Sequence, residues 1–313
     1  MKNKFLYLTV LIVAMTLDFS RSSQSVASTE NFNNCQKNLL SNNSKQIKLT
    51  KTISEDNGYF SSILPEGTQG PWYIRYRVTF PKNFDSTKRY GVVYFLHGRT
   101  GDRFVLDSLG IQQAFDNYIG KGGNSFIIVT LDGGNNYWMN AALKNEKWGD
   151  VVTQEIIAQI EKNNFIINNQ SGRILAGISM GGHGAIQNAL NHPGIYAAVA
   201  AHSPVFRTQE EASKDFAQQF GTGDDFQNRD PFSLILFKGK SLNIPIWIDT
   251  GGKDFALNNT RNFANLVKQR NYKADLHIGE DIIGSHVNAY WQYHLPEYLD
   301  WYGKHLPVPQ SNF

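Results

Sequence analysis

The stretch RILAGISMGGHGA, residues 173–185, sets four glycines around one serine directly after the apolar residues Ile174 to Ala176. Its centre has the spacing Gly-x-Ser-x-Gly, from Gly177 through Ser179 to Gly181. An apolar run before Gly177 reads as a buried strand, and the residues after Gly181 have helix length. A strand that turns sharply into a helix is the setting of a nucleophile elbow, where small neighbours let backbones approach and the serine stands at the strand's carboxyl end. The helix amino terminus aimed at the same place favours developing negative charge. In a chain with 27 glycines the spacing alone carries little; the strand before it and the helix after it carry more.

The surroundings repeat this alternation. Strand-like runs lie at Ile47 to Ile53, Trp72 to Phe80, Gly91 to Leu96, Phe126 to Leu131, Arg173 to Ala176, Ala197 to Ala201, Ile244 to Ile248 and Ala274 to Ile278. Helical spacing appears in WGDVVTQEIIAQIEKNN, in GGHGAIQNALNH and in NTRNFANLVKQRN. Strands alternating with helices predict an α/β fold, a mostly parallel central sheet with helices on both faces. Residues 46–313 then form one domain, without an internal repeat or a splitting linker.

Before that domain, two lysines precede an apolar stretch from Phe5 to Leu17, and small residues follow at Ser25 to Ala27, the pattern of a cleaved export signal over residues 1–27. The apolar run is shorter than the roughly 20 residues that span a bilayer. The expectation is a secreted or periplasmic protein with no stable membrane insertion after cleavage. Residues 28–45 are polar and aperiodic, a flexible lead-in. Loss of residues 1–27 takes the net charge from +3 to +1, which gives no reason to expect a nucleic acid partner. Cys35 is the single cysteine, so no disulfide forms within one chain. Metal and nucleotide motifs are missing from the sequence, and no cofactor is expected.

A serine needs a base, and the base needs an acid to orient it. After the run ending at Ile248 come Asp249 and Asp254; after the run ending at Ile278 comes His286. Acid and base on loops that follow successive strands, in the order Ser, Asp, His, is the α/β-hydrolase arrangement.

From about Trp72 to Trp301 the chain resembles the esterase D-like family of α/β-hydrolases, whose relatives include S-formylglutathione hydrolases, feruloyl esterases and antigen 85 mycolyltransferases. The words are YFLHGRTGD (94–102), VTLDGGNNYW (129–138), GISMGGHGA (177–185), NHPGIYAAVAAHSP (191–204), GGKD (251–254) and GSHVNAYW (284–291), in that order. The resemblance implies Ser179 as nucleophile, Asp254 as acid, His286 as base, and the backbone amides of Met180 and Arg99 as oxyanion donors. It therefore implies a serine esterase acting through an acyl-enzyme on a small-molecule or sugar-linked ester, or an acyltransferase with the same triad. A non-catalytic binding protein on the same fold would require a broken triad. Ser285 and Val287 depart from the family's usual Gly-Gly-His-Asp word.

The remaining candidates have plainer readings. His97 shapes the oxyanion loop, His183 and His202 are structural neighbours of the elbow, His277 is a wall or surface residue and His294 packs in a helix. Asp132 caps a loop. Trp138 and Trp291 are the candidate walls of a substrate pocket, and Trp148 is read as core. An export signal sets aside a cytosolic thioester and favours an ester of a sugar or phenol.

Overall fold

The computed structural model describes residues 46–65 and 72–311; the expected signal, the lead-in and Cys35 lie outside them. An eight-stranded sheet runs in the order β1-β2-β5-β4-β6-β7-β8-β9. Its strands are β1 (Ile53–Phe60), β2 (Tyr73–Phe80), β4 (Val92–Leu96), β5 (Ile127–Leu131), β6 (Arg173–Ile178), β7 (Ala198–His202), β8 (Ile246–Thr250) and β9 (Ala274–Ile278). β1, β2 and β5 pair antiparallel. From β5 through β4 to β9 every pairing is parallel. Short strands β3 (Lys88–Arg89) and β10 (Gln310–Ser311) pair with each other apart from this sheet.

The parallel strands β4 to β8 are buried at every residue except Arg173 at the start of β6, as expected where helices cover both faces. The helices that matter here are α1 (Ile111–Gly120), α2 (148–160), α3 (Met180–Asn191), α4 (Gln209–Asp215), α5 (Leu257–Gln269) and α6 (Asn288–His305). One face of the sheet packs Val93, Phe95, Ile174 and Ala176 against Phe115 of α1 and Leu299 and Tyr302 of α6. α3 is buried at nearly every position because it lies on the central strands. The helix expected after Trp148 forms, with one π turn over Val151–Glu155. No helix among the described residues is long and apolar enough to cross a membrane.

One strand expectation is corrected. The apolar run beginning at Ile47 stays outside the sheet: Leu49 N–H bonds Phe84 O at 3.0 Å, Ser86 N–H bonds Ile47 O at 3.0 Å, and Lys48 makes an isolated bridge with Asp85. The edge strand is instead ISEDNGYF, Ile53–Phe60. Its Glu, Asp, Asn and Gly disfavour strand by propensity, and eight register pairs to β2 override them.

Strand order also explains where loops converge. β5 lies on one side of β4 and β6 on the other, so the chain reverses direction across the sheet at β4/β6. The loops leaving the carboxyl ends of those two strands diverge and leave a crevice, the place where such sheets bind ligands.

Candidate active site

Ser179 sits between β6 and α3 with φ 58° and ψ −117°, a conformation that a non-glycine residue holds at a cost of about 1–3 kcal/mol. The surroundings enforce it. Ser179 N–H donates to His202 O at 2.8 Å, and the Ser179 carbonyl accepts from His183 N at 3.1 Å and Val205 N at 3.2 Å. The glycine at 181 is a requirement of space, since a Cβ there would stand 2.1 Å from Leu96 O.

Asp254 and His286 come from the loops after β8 and β9. Lys253 N–H bonds Gly284 O at 2.8 Å and Gly252 N–H bonds Asp281 O at 2.7 Å. A Cβ on Gly251 would lie 2.2 Å from Gly284 O, so the Gly-x-x-Asp and Gly-x-His words are paired halves of one contact. His286 Nδ1 lies 2.9 Å from Asp254 Oδ2 and 3.1 Å from Oδ1, and its Nε2 lies 2.8 Å from Ser179 Oγ. Burial pushes the Asp254 carboxyl up, but the hydrogen bonds from His286 and from the Ala256 N–H hold it below the usual carboxylate range. Ser179 is buried, the Asp254 side chain is fully buried and the His286 side chain is 16% exposed, so the line of hydroxyl, imidazole and carboxylate is most open at the histidine edge.

The loop after β4 supplies the facing wall. A Cβ on Gly98 would be 3.2 Å from Ser179 Cβ, which puts the backbone leading into Arg99 against the serine; Met180 opens α3 on the other side. His97, fully buried, donates through Nδ1 to Gly98 O at 2.7 Å and accepts the Gly133 N–H at Nε2, 3.1 Å. Burial lowers its pKa, which suits this neutral, doubly bonded ring. Thr100, at φ 63°, donates its N–H to Asn135 Oδ1 at 2.7 Å. Asp132 takes Arg103 N–H at 2.6 Å and its guanidinium at 2.8 Å, so it anchors this loop.

The two tryptophans separate. Trp291 lines the cleft of about 450 Å³ that holds Ser179, His286, Arg99 and Phe104, and its ring stands edge-on to His286 at 5.1 Å. Trp138 does not line it: the ring is 0% exposed, its Nε1–H bonds His97 O at 3.1 Å, and it packs edge-on against His97. A Trp followed in the fold by a buried carbonyl becomes a strut, and here it props the loop from below. Phe255 was not anticipated. It is 69% exposed and lies 4.5 Å from the His286 ring; only its place next to Asp254 in sequence hinted at this.

Asp249, the rival acid, belongs to a different network. Its Oδ1 accepts from His202 Nδ1 at 2.6 Å and Trp247 Nε1 at 2.7 Å, and its Oδ2 from Tyr290 at 2.9 Å and Tyr298 at 2.8 Å. Tyr302 OH meets His202 Nε2 at 2.6 Å. Burial works against the Asp249 carboxylate, yet His202, Trp247 and Tyr298 hold its pKa below the ordinary value. The group ties α6 to β7 and β8 and meets the elbow at the His202 carbonyl, which accepts Ser179 N–H at 2.8 Å. His183 is fully buried, which drives its pKa down to about 4, and its Nε2 faces Arg229 O at 3.3 Å. His277 stacks on Trp247 and bonds Glu280 at 2.8 Å; His294 bonds Glu297 at 2.9 Å. These last two line a larger groove of about 660 Å³ at the β9 edge, where the imidazoles face carboxylates and no serine hydroxyl.

A family model described as "Putative esterase" matches residues 69–302. Esterase Rv1288 of Mycobacterium tuberculosis is 26% identical over 215 residues, 62% of this chain and 44% of that protein; this chain therefore spans less than half the length of that relative. The acetyl esterase of Caldicellulosiruptor saccharolyticus is 24% identical over 242 residues, covering 72% of this chain and 87% of that one. Among solved structures, a ferulic acid esterase superposes with a TM-score of 0.68 at 22% identity, over 82% of this chain and 100% of the other. At that identity the likeness carries the α/β-hydrolase fold.

Proposed function

This chain belongs to the esterase family, and from that premise we propose that it hydrolyses carboxylic esters through an acyl-enzyme on Ser179. The observation that carries the reading is the unbroken line from Ser179 Oγ to His286 Nε2, 2.8 Å, and from His286 Nδ1 to Asp254, 2.9 Å. With Nδ1–H given to the carboxylate, Nε2 is left as the acceptor of the serine proton. Ser179 Oγ attacks the ester carbonyl as that proton passes to His286. The tetrahedral oxyanion is held by the amides of Met180 and Arg99. His286 then returns the proton to the departing alkoxide, and the alcohol leaves. Water enters, gives its proton to His286 and attacks the acyl-enzyme; the second collapse frees the acid and restores Ser179 O–H.

On substrate, we infer a small or medium acyl ester of a sugar or phenol, with Trp291 as the apolar wall. Support comes from the modest cleft and from relatives named acetyl esterase and ferulic acid esterase. The proposed location is outside the cytoplasm, on the strength of the Phe5 to Leu17 run. Initial rates on 4-nitrophenyl esters of increasing chain length test the reading: turnover falling with length supports it, and absence of turnover on every ester refutes it.

A further inference from the structure

One arginine lines the cleft and a second shares an aromatic ring with it, and among the described residues neither forms a salt bridge with a carboxylate. Arg99 follows the Gly98 backbone that touches Ser179 and lines the cleft with its exposed side chain. Its guanidinium carbon lies 5.4 Å from the centre of the Phe216 ring; that of Arg207 lies 5.3 Å from the same centre. Arg207 Nε–H donates to Tyr137 OH at 2.8 Å. Among the described residues the other half-buried arginines, Arg77, Arg103, Arg173 and Arg229, each hold a carboxylate; Arg207 holds a tyrosine hydroxyl. Of the nearby acids, Glu211 closes a capping box on Thr208 N at 2.9 Å, and Asp102, which lines the same cleft, accepts Phe104 N–H at 2.8 Å; neither forms a salt bridge with Arg99 or Arg207.

The backbone around both cations is held in costly conformations. Thr100, next to Arg99, has φ 63°; Tyr137 has φ 57°; Ser203, which begins the loop leading to Arg207, has φ 44°. Such strain persists only where the surroundings fix it, and it clusters at ligand sites. Phe216, 5% exposed at the end of α4, lies within cation–π reach of both guanidinium groups. An arginine fork held this way and left without a carboxylate is preorganised for an oxyacid group.

We propose that Arg99 and Arg207 form an anion subsite of the cleft, and that the preferred ester carries a carboxylate or other anionic oxyacid group on one side of the scissile bond. The proposal rests on the esterase reading above. Two matched pairs of probes separate the sides: mono-4-nitrophenyl glutarate against 4-nitrophenyl pentanoate for the acyl side, and 4-acetoxybenzoate against its methyl ester for the alcohol side. The wild-type chain is expected to favour the anionic member of one pair about tenfold in kcat/KM at low salt, with the preference shrinking at high ionic strength. Arg207→Gln should lower that ratio severalfold, and Arg207→Lys should keep part of it; if Arg207→Gln does not fold, the wild-type ratio and its salt dependence decide. Neutral esters cleaved with no anionic preference in either pair would overturn the subsite and leave the esterase reading standing. No turnover of any of the four would overturn the reading beneath it.

Discussion

Glu55 lies in the middle of the edge strand β1, opposite Val78 of β2, and is 1% exposed. Among the described residues neither carboxyl oxygen has a hydrogen-bond partner. Burial pushes its pKa from 4.5 to about 8; Arg77 pulls the other way but is already bonded to Asp107 and Asp56. The folded-state value is above the unfolded one, so the unfolded chain gives up this proton first and stability falls as pH rises from 4.5 towards 8. Each pH unit in the middle of that window costs up to about 1.4 kcal/mol, and the whole window about 4 kcal/mol. Glu55→Gln keeps the shape and removes the titration. Urea denaturation of both chains at pH 5, 6, 7 and 8 should give stabilities that diverge in favour of the variant by about 1 kcal/mol per unit. Every other titrating group cancels in the difference. Two stability curves running parallel from pH 5 to 8 would refute the reasoning.

Asp249→Asn leaves His202 and three hydroxyl or indole donors without their buried carboxylate and should cost about 3–5 kcal/mol; because the Asp249 pKa is lowered in the fold, the variant should also lose stability less steeply than wild type as pH falls below about 4, read by denaturation at pH 3 to 6. Gly181→Ala puts a methyl against the Leu96 carbonyl, an immovable backbone neighbour, and should lower both Tm and kcat/KM, whereas Gly194→Ala, with nothing within 4 Å of the added Cβ but φ 90°, should lower Tm alone. Trp138→Ala should cost about 3–5 kcal/mol of stability as a core cavity, while Trp291→Ala should raise KM for aromatic esters with a smaller change in Tm; the two effects exchanged would reverse their assignment.

Much of the centre was legible because close backbone approach leaves glycine in the sequence. Gly177, Gly181 and Gly251 stand where a side chain would collide with backbone, and Gly284 where it would collide with the Tyr290 and Asp281 side chains; those letters frame Ser179, Asp254 and His286. The parallel strands were legible for the same kind of reason: burial on both faces writes an unbroken apolar run, as in Val92–Leu96. β1 was not, because an edge strand stapled by its neighbour tolerates Glu55, Asp56 and Asn57. Trp138 was misplaced because a tryptophan near a site reads alike as wall or strut until the Nε1–H finds His97 O. Arg207 and Phe216 had no motif to announce them; only the path of the chain from Ser203 through α4 brings them to Arg99.

The claim that Ser179 is the nucleophile is tested most directly by intact mass after exposure to a fluorophosphonate, followed by peptide mapping. Nucleophilic attack by the serine predicts one adduct per chain, located on Ser179, with hydrolysis of 4-nitrophenyl acetate lost in step with labelling and Ser179→Ala both unlabelled and about 10⁴-fold slower or worse. A Ser179→Ala chain that still takes up the label stoichiometrically, or still turns over the ester at the wild-type rate, would contradict it.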